Sequence, residues 1–186
     1  VSIQITRYTK SDRDMWENFV GKANNGNIFH TRRFLSYHPK GRFVDHSLCF
    51  YKDKKLIALF PAVEFFSNGQ NILVSHRGAS YGGFIINDTF SIKDAFEAVS
   101  CLIEYAGKNG FKGIDITPPP QIYLRRPSNY IDFALVQQGF SYRKREISSV
   151  IPLDFKSNEI LTTFNEGSRR AVRRGKKLGV EVKESD

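Results

Sequence analysis

Residues 47–75, SLCFYKDKKLIALFPAVEFFSNGQNILVS, predict an antiparallel meander in the middle of the chain. The polar pair Asp53-Lys54 and the pair Asn68-Gly69 interrupt three runs rich in apolar and aromatic residues. Asn-Gly between two such runs is typical of a tight hairpin, because both residues tolerate positive φ. The expected strands are Ser47–Tyr51, Leu56–Phe66 and Asn71–Ser75.

Helices and further strands are expected on both sides of the meander. Before it, the pattern predicts a strand over Ser2–Tyr8, a helix with Ser11 as its N-cap and a short helix over Thr31–Tyr37. After it, the pattern predicts strands at Phe84–Ile86, Lys112–Thr117, Phe140–Leu153 and Val180–Lys183, and helices at Ser91–Asn109, Tyr130–Gln138 and Asn158–Leu178. This order predicts an α/β (α+β) domain with a mixed, mostly antiparallel sheet and helices on both faces.

The composition is that of one folded domain. The chain has 186 residues, of which 40% are hydrophobic and 25% charged, so we expect a buried core rather than disorder. Its longest apolar runs, such as Leu56–Val63, are too short to span a bilayer, and no secretory signal precedes them, so a cytoplasmic protein is expected. Cys49 and Cys101 lie far apart in apolar stretches, which favours buried thiols over a disulfide or a metal site.

The positive charge is concentrated near the end of the sequence. The net charge is +9, and between Arg169 and Val180 no acidic residue offsets the cations. Those cations are Arg169, Arg170, Arg173, Arg174, Lys176 and Lys177. A local cluster of this kind indicates a local anionic partner rather than a general polyanion-binding surface.

Four short motifs accompany these elements. They are residues 27–37 (NIFHTRRFLSY), 59–62 (LFPA), 80–84 (SYGGF) and 169–180 (RRAVRRGKKLGV). Together with the element order, they resemble segments of FemAB-like proteins in the GNAT superfamily of acyltransferases. The resemblance implies a GNAT-like fold and transfer of an acyl or aminoacyl group to an amine or hydroxyl of a carbohydrate or peptidoglycan-type acceptor.

The resemblance also implies a division of labour between two halves. Residues 1–186 would be the first GNAT-like half, mainly acceptor-binding, and residues 157–186 the basic helix and the junction to a second half. The implied donor is an acyl-CoA or an aminoacyl-tRNA, so tRNA is a further expected partner. The glycine-rich loop R/Q-x-x-G-x-G/A that leads into a helix and holds the CoA pyrophosphate is not found, so no cofactor is assigned to this half.

The best candidate site is the segment from Ser75 to Gly83, named here the glycine loop. Its glycines allow positive φ and close approach of a ligand to the backbone. It also offers a titratable ring, a fixed cation and a hydroxyl. The candidate substrate-binding residues are His76, Arg77, Tyr81, Gly82 and Gly83. The alternative is that Gly78, Gly82 and Gly83 only shape a crossover between strands.

Two further groups complete the candidate site. His30 and Tyr37 are assigned to substrate binding, with a simple helix cap as the alternative for His30. The cations expected to hold the phosphate or carboxylate of a small or lipid-linked anionic acceptor are Arg169, Arg170, Arg173 and Arg174, with a solvated face as the alternative. No catalytic residue is assigned, and no metal cluster is evident.

Two other functions remain open from the sequence. A nucleic-acid-binding module would use the basic helix, with Tyr123 and Tyr142 as stacking aromatics and a steep salt dependence of binding. A stand-alone acetyltransferase with a degenerate CoA loop would bind acetyl-CoA directly.

Overall fold

A computed structural model describes residues 2–147, 149–151, 154, 156 and 159–184. The chain divides into two compact units, Val1–Lys144 and Arg145–Asp186. The first unit contains, in chain order, β1 (Gln4–Arg7), α1 (Arg13–Lys22), α2 (Arg32–Leu35), β2 (Val44–Asp45), β3 (Leu48–Lys52), β4 (Lys55–Phe60), β5 (Val63–Ser67), β6 (Gln70–Ser75), β7 (Ile85–Ile86), α3 (Ile92–Lys108), β8 (Gly113–Ile116) and α4 (Tyr130–Gln137). The second contains α5 (Glu166–Lys177).

The strands form two four-stranded sheets, with the orders β1-β3-β4-β7 and β2-β5-β6-β8. Every neighbouring pair is antiparallel except β6 and β8, which run parallel with Ser75 opposite Ile116. Parallel strands need a long crossover, and α3 supplies it. The predicted class, an α+β fold with mostly antiparallel strands, is confirmed.

The predicted single strand Leu56–Phe66 is wrong, because Pro61 divides it into β4 and β5. Proline has no N–H to donate to a ladder, so a strand rarely continues through it. The Ala62 N–H donates to the Ser47 hydroxyl at 3.2 Å instead of to a neighbouring strand. The chain therefore changes from the first sheet to the second at this point.

Alternation along the first sheet explains why helices cover both of its faces. In β3 and β4, Leu48, Phe50 and Phe60 join the main core, which includes the apolar stripe of α3. Their neighbours Cys49 and Leu59 point the other way and pack with Trp16 and Val20 of α1. Successive side chains of a strand alternate between faces, so a strand covered on both sides is apolar throughout.

Helix α3 begins and ends where the sequence predicts. The Ser91 hydroxyl accepts from Asp94 N–H at 3.1 Å, and the Asp94 carboxylate accepts from Ser91 N–H at 2.9 Å, which is a complete capping box. At the other end, Gly110 has a φ of 79° and ends the helix after Asn109.

The predicted N-cap of α1 is wrong. A short 3₁₀ turn at Lys10–Asp12 precedes the helix, and α1 begins only at Arg13, after Asp12. The Asp12 carboxylate accepts from the Thr9 N–H at 2.7 Å, and this bond orders the turn in place of a Ser11 cap.

Three expectations for the end of the chain are also corrected. The described residues of Phe140–Leu153 and of Val180–Lys183 contain no strand, and Asn158 lies outside the described residues. Residues 141–147 are all exposed, so pairing there would bury no apolar face. The Val180 N–H instead returns to the Gly175 carbonyl at 3.1 Å and closes α5. The helix starts late, at Glu166, after its N-cap Asn165.

The buried side chain of Asn25 stabilises the backbone around β7, and a substitution tests this contribution. Its buried amide donates to the Phe84 carbonyl at 2.7 Å and accepts from Ile86 N–H at 2.9 Å, so it stands in for a neighbouring strand beside β7. We expect Asn25→Ala to lower the free energy of unfolding by about 2–3 kcal/mol, because two backbone groups lose their partner. Urea unfolding measures this, with Asn18→Ala on the exposed face of α1 as the control that changes it by less than about 0.5 kcal/mol. Equal effects of the two substitutions would contradict this role.

Candidate functional site

The glycine loop leaves and returns at one edge of the second sheet. The Ser75 carbonyl, at the end of β6, accepts from Thr117 N–H at 3.2 Å, and Gly82 N–H donates to the Thr117 carbonyl at 2.8 Å. The loop therefore lies at the carboxyl ends of the parallel pair β6 and β8. In sheets with parallel strands, this is the edge where ligands commonly bind.

Close backbone packing explains the glycines at 82 and 83. A Cβ at Gly82 would overlap the backbone atoms His76 N and Ser75 C, and Gly83 has a φ of 82°. The Ser75 hydroxyl lies in the same bend, where it donates to the Pro61 carbonyl and accepts from Gly83 N–H at 2.8 Å. Gly82 and Gly83 are buried, so they shape the loop from within.

His30 lies beneath the loop. It is fully buried, and its Nε2–H donates to the Gly82 carbonyl at 3.3 Å. Burial lowers the pKa of His30 to about 4, so the ring is neutral near pH 7. The helix cap is present at Thr31, whose hydroxyl accepts from Phe34 N–H at 3.1 Å, and the His30 ring itself takes no part in it. His30 is thus placed to support Gly82.

His76 and Arg77 follow each other in the loop but differ in exposure. His76 is buried, and burial lowers its pKa to about 4. The Arg77 guanidinium is exposed and lies 3.8 Å from the centroid of the Phe65 ring. It forms no ion pair with any carboxylate in the described part of the chain. The loop therefore presents a positioned cation beside a neutral imidazole.

A continuous series of ring contacts, named here the aromatic row, starts and ends on the glycine loop. Centroid distances between successive rings range from 4.1 Å for Tyr37–His38 to 5.9 Å for Phe43–His76. Its members are Tyr81, Phe29, Phe34, Tyr37, His38, Phe43 and His76, and Tyr123 adds a contact with Tyr81 at 5.7 Å. Tyr37 is 65% exposed and Tyr123 45% exposed, so both offer ring surface to a ligand.

The aromatic row unites several predicted site residues and adds others. It brings Tyr37, His76 and Tyr81 into one connected set. It also includes His38, for which the sequence suggests no role and whose Nε2 lies 2.8 Å from the Gly78 carbonyl. The density of aromatic residues between 29 and 43 is a signal that was available in the sequence. Their contact with the loop depends on the tertiary fold.

The predicted cations of the second unit lie on α5. The Glu166 carboxylate contacts Arg169 at 3.3 Å, Arg170 at 3.3 Å and Arg173 at 3.4 Å. Arg174 forms no ion pair with a described residue. These pairs are exposed, and each contributes at most about 1 kcal/mol, so an anionic ligand can displace them.

The amino end of α3 is closed to an anionic ligand. Asp94 occupies it through the capping box, and the Lys52 ammonium contacts the same carboxylate. The pKa of Asp94 is lowered, since hydrogen bonds from Lys52 and Ser91 outweigh the effect of its partial burial. A negative charge already fills the position where a helix terminus would bind phosphate.

The described residues include no group of three His, Cys, Asp or Glu side chains that could hold a metal ion. No helix among them combines the length and apolar character needed to cross a membrane.

Comparison with solved structures identifies the fold. FemX shares 17% identity at a TM-score of 0.66, and the alignment covers 98% of this chain and 46% of FemX. The chain therefore has a fold like that of FemX and of GNAT family acetyltransferases. A GNAT family acetyltransferase from Staphylococcus aureus aligns over 81% of this chain and 100% of its own, with 14% identity and a TM-score of 0.50. A transcriptional regulator from Bacillus halodurans aligns over 80% and 99%, with 14% identity and a TM-score of 0.51.

Sequence comparisons found no counterpart. No protein-family model matches the chain, and no curated protein sequence matches it. The chain spans less than half the length of FemX.

Gly82 offers a test of the loop. We expect Gly82→Ala to lower the free energy of unfolding by at least about 2 kcal/mol, because the added Cβ collides with backbone that cannot move independently. Gly21→Ala is the matched control: nothing lies within 4 Å of its added Cβ, and alanine favours the helix by about 0.5–1 kcal/mol. Thermal unfolding compares the two variants. A neutral Gly82→Ala would show that the loop is not close-packed.

The two buried histidines predict a pH dependence. Their pKa is about 4 in the folded chain and 6.5 when unfolded, so the unfolded chain binds these protons more readily. Their stabilising contribution is complete above pH 6.5 and is lost as the pH falls towards 4. Urea unfolding at pH 6.5 and pH 5 should differ by about 2 kcal/mol per histidine. His76→Gln should reduce that difference, and an unchanged difference would refute the assignment.

Proposed function

We propose that this chain is the acceptor-binding, first GNAT-like half of a FemAB-like acyl- or aminoacyltransferase. Its acceptor is an amine or hydroxyl of a carbohydrate or peptidoglycan-type molecule. The observation that carries the proposal is the alignment with FemX, in which nearly the whole chain matches about half of a longer protein. A second GNAT-like half, joined through the region of residues 157–186, completes the enzyme.

The glycine loop and the aromatic row support acceptor binding. A sugar ring has apolar C–H faces that pack on exposed aromatic rings, and Tyr37 and Tyr123 provide such rings. Arg77 provides a donor fork that suits the phosphate or carboxylate of an anionic acceptor. His76 is buried and neutral, so it supports the loop beside Arg77 without adding charge.

The capping box of α3 supports a binding site for the acyl donor outside this chain. Acyl-CoA binding at a helix terminus needs free N–H groups and a favourable field, whereas the capping box of Ser91 and Asp94 uses two N–H groups and places a carboxylate at this terminus. In the proposed enzyme the acyl-CoA or aminoacyl-tRNA therefore binds mainly to the second half. This arrangement leaves no cofactor to the present chain.

The positive charge of α5 supports a role in binding an anionic substrate. Arg169, Arg170 and Arg173 share the single carboxylate of Glu166, which leaves α5 with a large excess of positive charge. Such a surface suits a phosphate-bearing acceptor or the phosphates of a tRNA donor. A general nucleic-acid-binding module is not favoured, because the fold is shared with FemX and GNAT family acetyltransferases and the excess positive charge is confined to one segment of the sequence.

UDP-N-acetylglucosamine is a suitable probe of the proposed acceptor site. We expect the chain to bind it more tightly than N-acetylglucosamine, because only the nucleotide sugar carries phosphates for Arg77. Arg77→Ala should weaken binding of the nucleotide sugar about tenfold, the effect of losing one charge-assisted contact. Titration calorimetry measures this, with Arg13→Ala at the exposed start of α1 as the control that leaves affinity unchanged.

Two outcomes would overturn the proposal. Equal affinity of wild type and Arg77→Ala would remove the loop from the acceptor site. A rise in the unfolding temperature with acetyl-CoA would favour a stand-alone acetyltransferase instead, since a ligand that binds the folded chain stabilises it.

A further inference from the structure

A separate pocket lies between α1 and the neighbouring sheet, within the first unit. It has a volume of about 240 Å³ and shares no lining residue with the glycine loop or the aromatic row. Its lining includes Met15, Asn18, Phe19 and Lys22 from α1, Leu56 from β4 and Asn87 after β7. The function proposed above makes no use of this pocket.

The wall of the pocket is apolar and suits a flat ring. Met15, Phe19 and Lys22 follow one another at helical spacing, so they share one face of α1. Leu56 faces them from β4, and Met15, Phe19 and Leu56 pack on the core beneath. A methionine thioether adapts to irregular shapes and makes favourable contacts with aromatic rings.

The rim of the pocket is positive and rich in donors. Lys22 forms no ion pair with any residue that the structure describes, and no described aspartate or glutamate lines the pocket. Asn87 uses its Oδ1 to accept from the Thr89 hydroxyl at 3.3 Å, which leaves its amide donors for a ligand. Arg125 donates to the Gly21 carbonyl at 2.7 Å, so it offsets the negative end of α1 near Lys22.

We infer that this pocket binds a small aromatic monocarboxylate. An apolar cavity of about 150 Å³ holds one benzene molecule, so this pocket has room for one ring with a short arm. The ring packs on Met15, Phe19 and Leu56, and the carboxylate lies at Lys22 with the two asparagine amides as donors.

Met15 permits a direct test, because it is the only methionine in the chain. Labelling with ¹³C-methyl methionine yields one signal from the pocket wall. 3-Phenylpropanoate should shift that signal saturably, with a dissociation constant of about 1 mM for a ligand of this size. The uncharged isostere 3-phenylpropanamide should bind more weakly, because it lacks the charge that Lys22 attracts.

Charge variants separate the parts of the inference. Lys22→Gln should weaken 3-phenylpropanoate binding about three- to fivefold, as expected for one exposed charge pair, and leave the amide unchanged. Lys112→Gln, an exposed lysine remote in sequence from the pocket, is the matched control and should alter neither. Absence of a saturable shift with 3-phenylpropanoate would show that the pocket does not bind this class of ligand.

Equal binding of the two probes, unaffected by Lys22→Gln, would overturn the assignment of the carboxylate to Lys22. Neither result bears on the nucleotide-sugar titration, so the two proposals fail independently.

Discussion

The Ser75 hydroxyl connects three backbone segments where the chain passes between its two sheets. Ser75 is the last residue of β6. Its hydroxyl donates to the Pro61 carbonyl, between β4 and β5, and accepts from the Gly83 N–H at the end of the glycine loop. Because all of these groups are buried, each needs its partner, and the hydroxyl satisfies two at once. The shape of the glycine loop thus depends on the same hydroxyl that connects β6 to the break between β4 and β5.

Local signals in the sequence predicted the elements that local interactions determine. Helix α3 was predicted from Ser91 and its apolar stripe, since its capping box and packing face lie within the helix itself. The strand Leu56–Phe66 was mispredicted because apolar residues continue on both sides of Pro61, although a proline within such a run argues against one continuous strand. The strand Phe140–Leu153 failed for another reason: alternation predicts a strand only where one face is buried, and residues 141–147 are exposed.

The sequence predicted part of the geometry of the candidate site. The glycines at 78, 82 and 83 predicted a loop, because glycine in a sequence indicates positive φ or close approach to backbone. His30 was singled out, but its contact with the Gly82 carbonyl spans more than fifty residues and only the fold reveals it. The aromatic row joins residues 29–43 to the glycine loop through the tertiary fold, so sequence spacing alone could not assemble it.

We propose that an anionic sugar acceptor binds at the glycine loop and not at the amino end of α3, which the Asp94 carboxylate occupies. Hydrogen–deuterium exchange with and without UDP-N-acetylglucosamine tests it most directly, since binding slows exchange where a ligand orders the backbone. The account predicts slower exchange in residues 76–83 and no change in residues 87–94. Slower exchange at residues 87–94 with an unaffected glycine loop would contradict it.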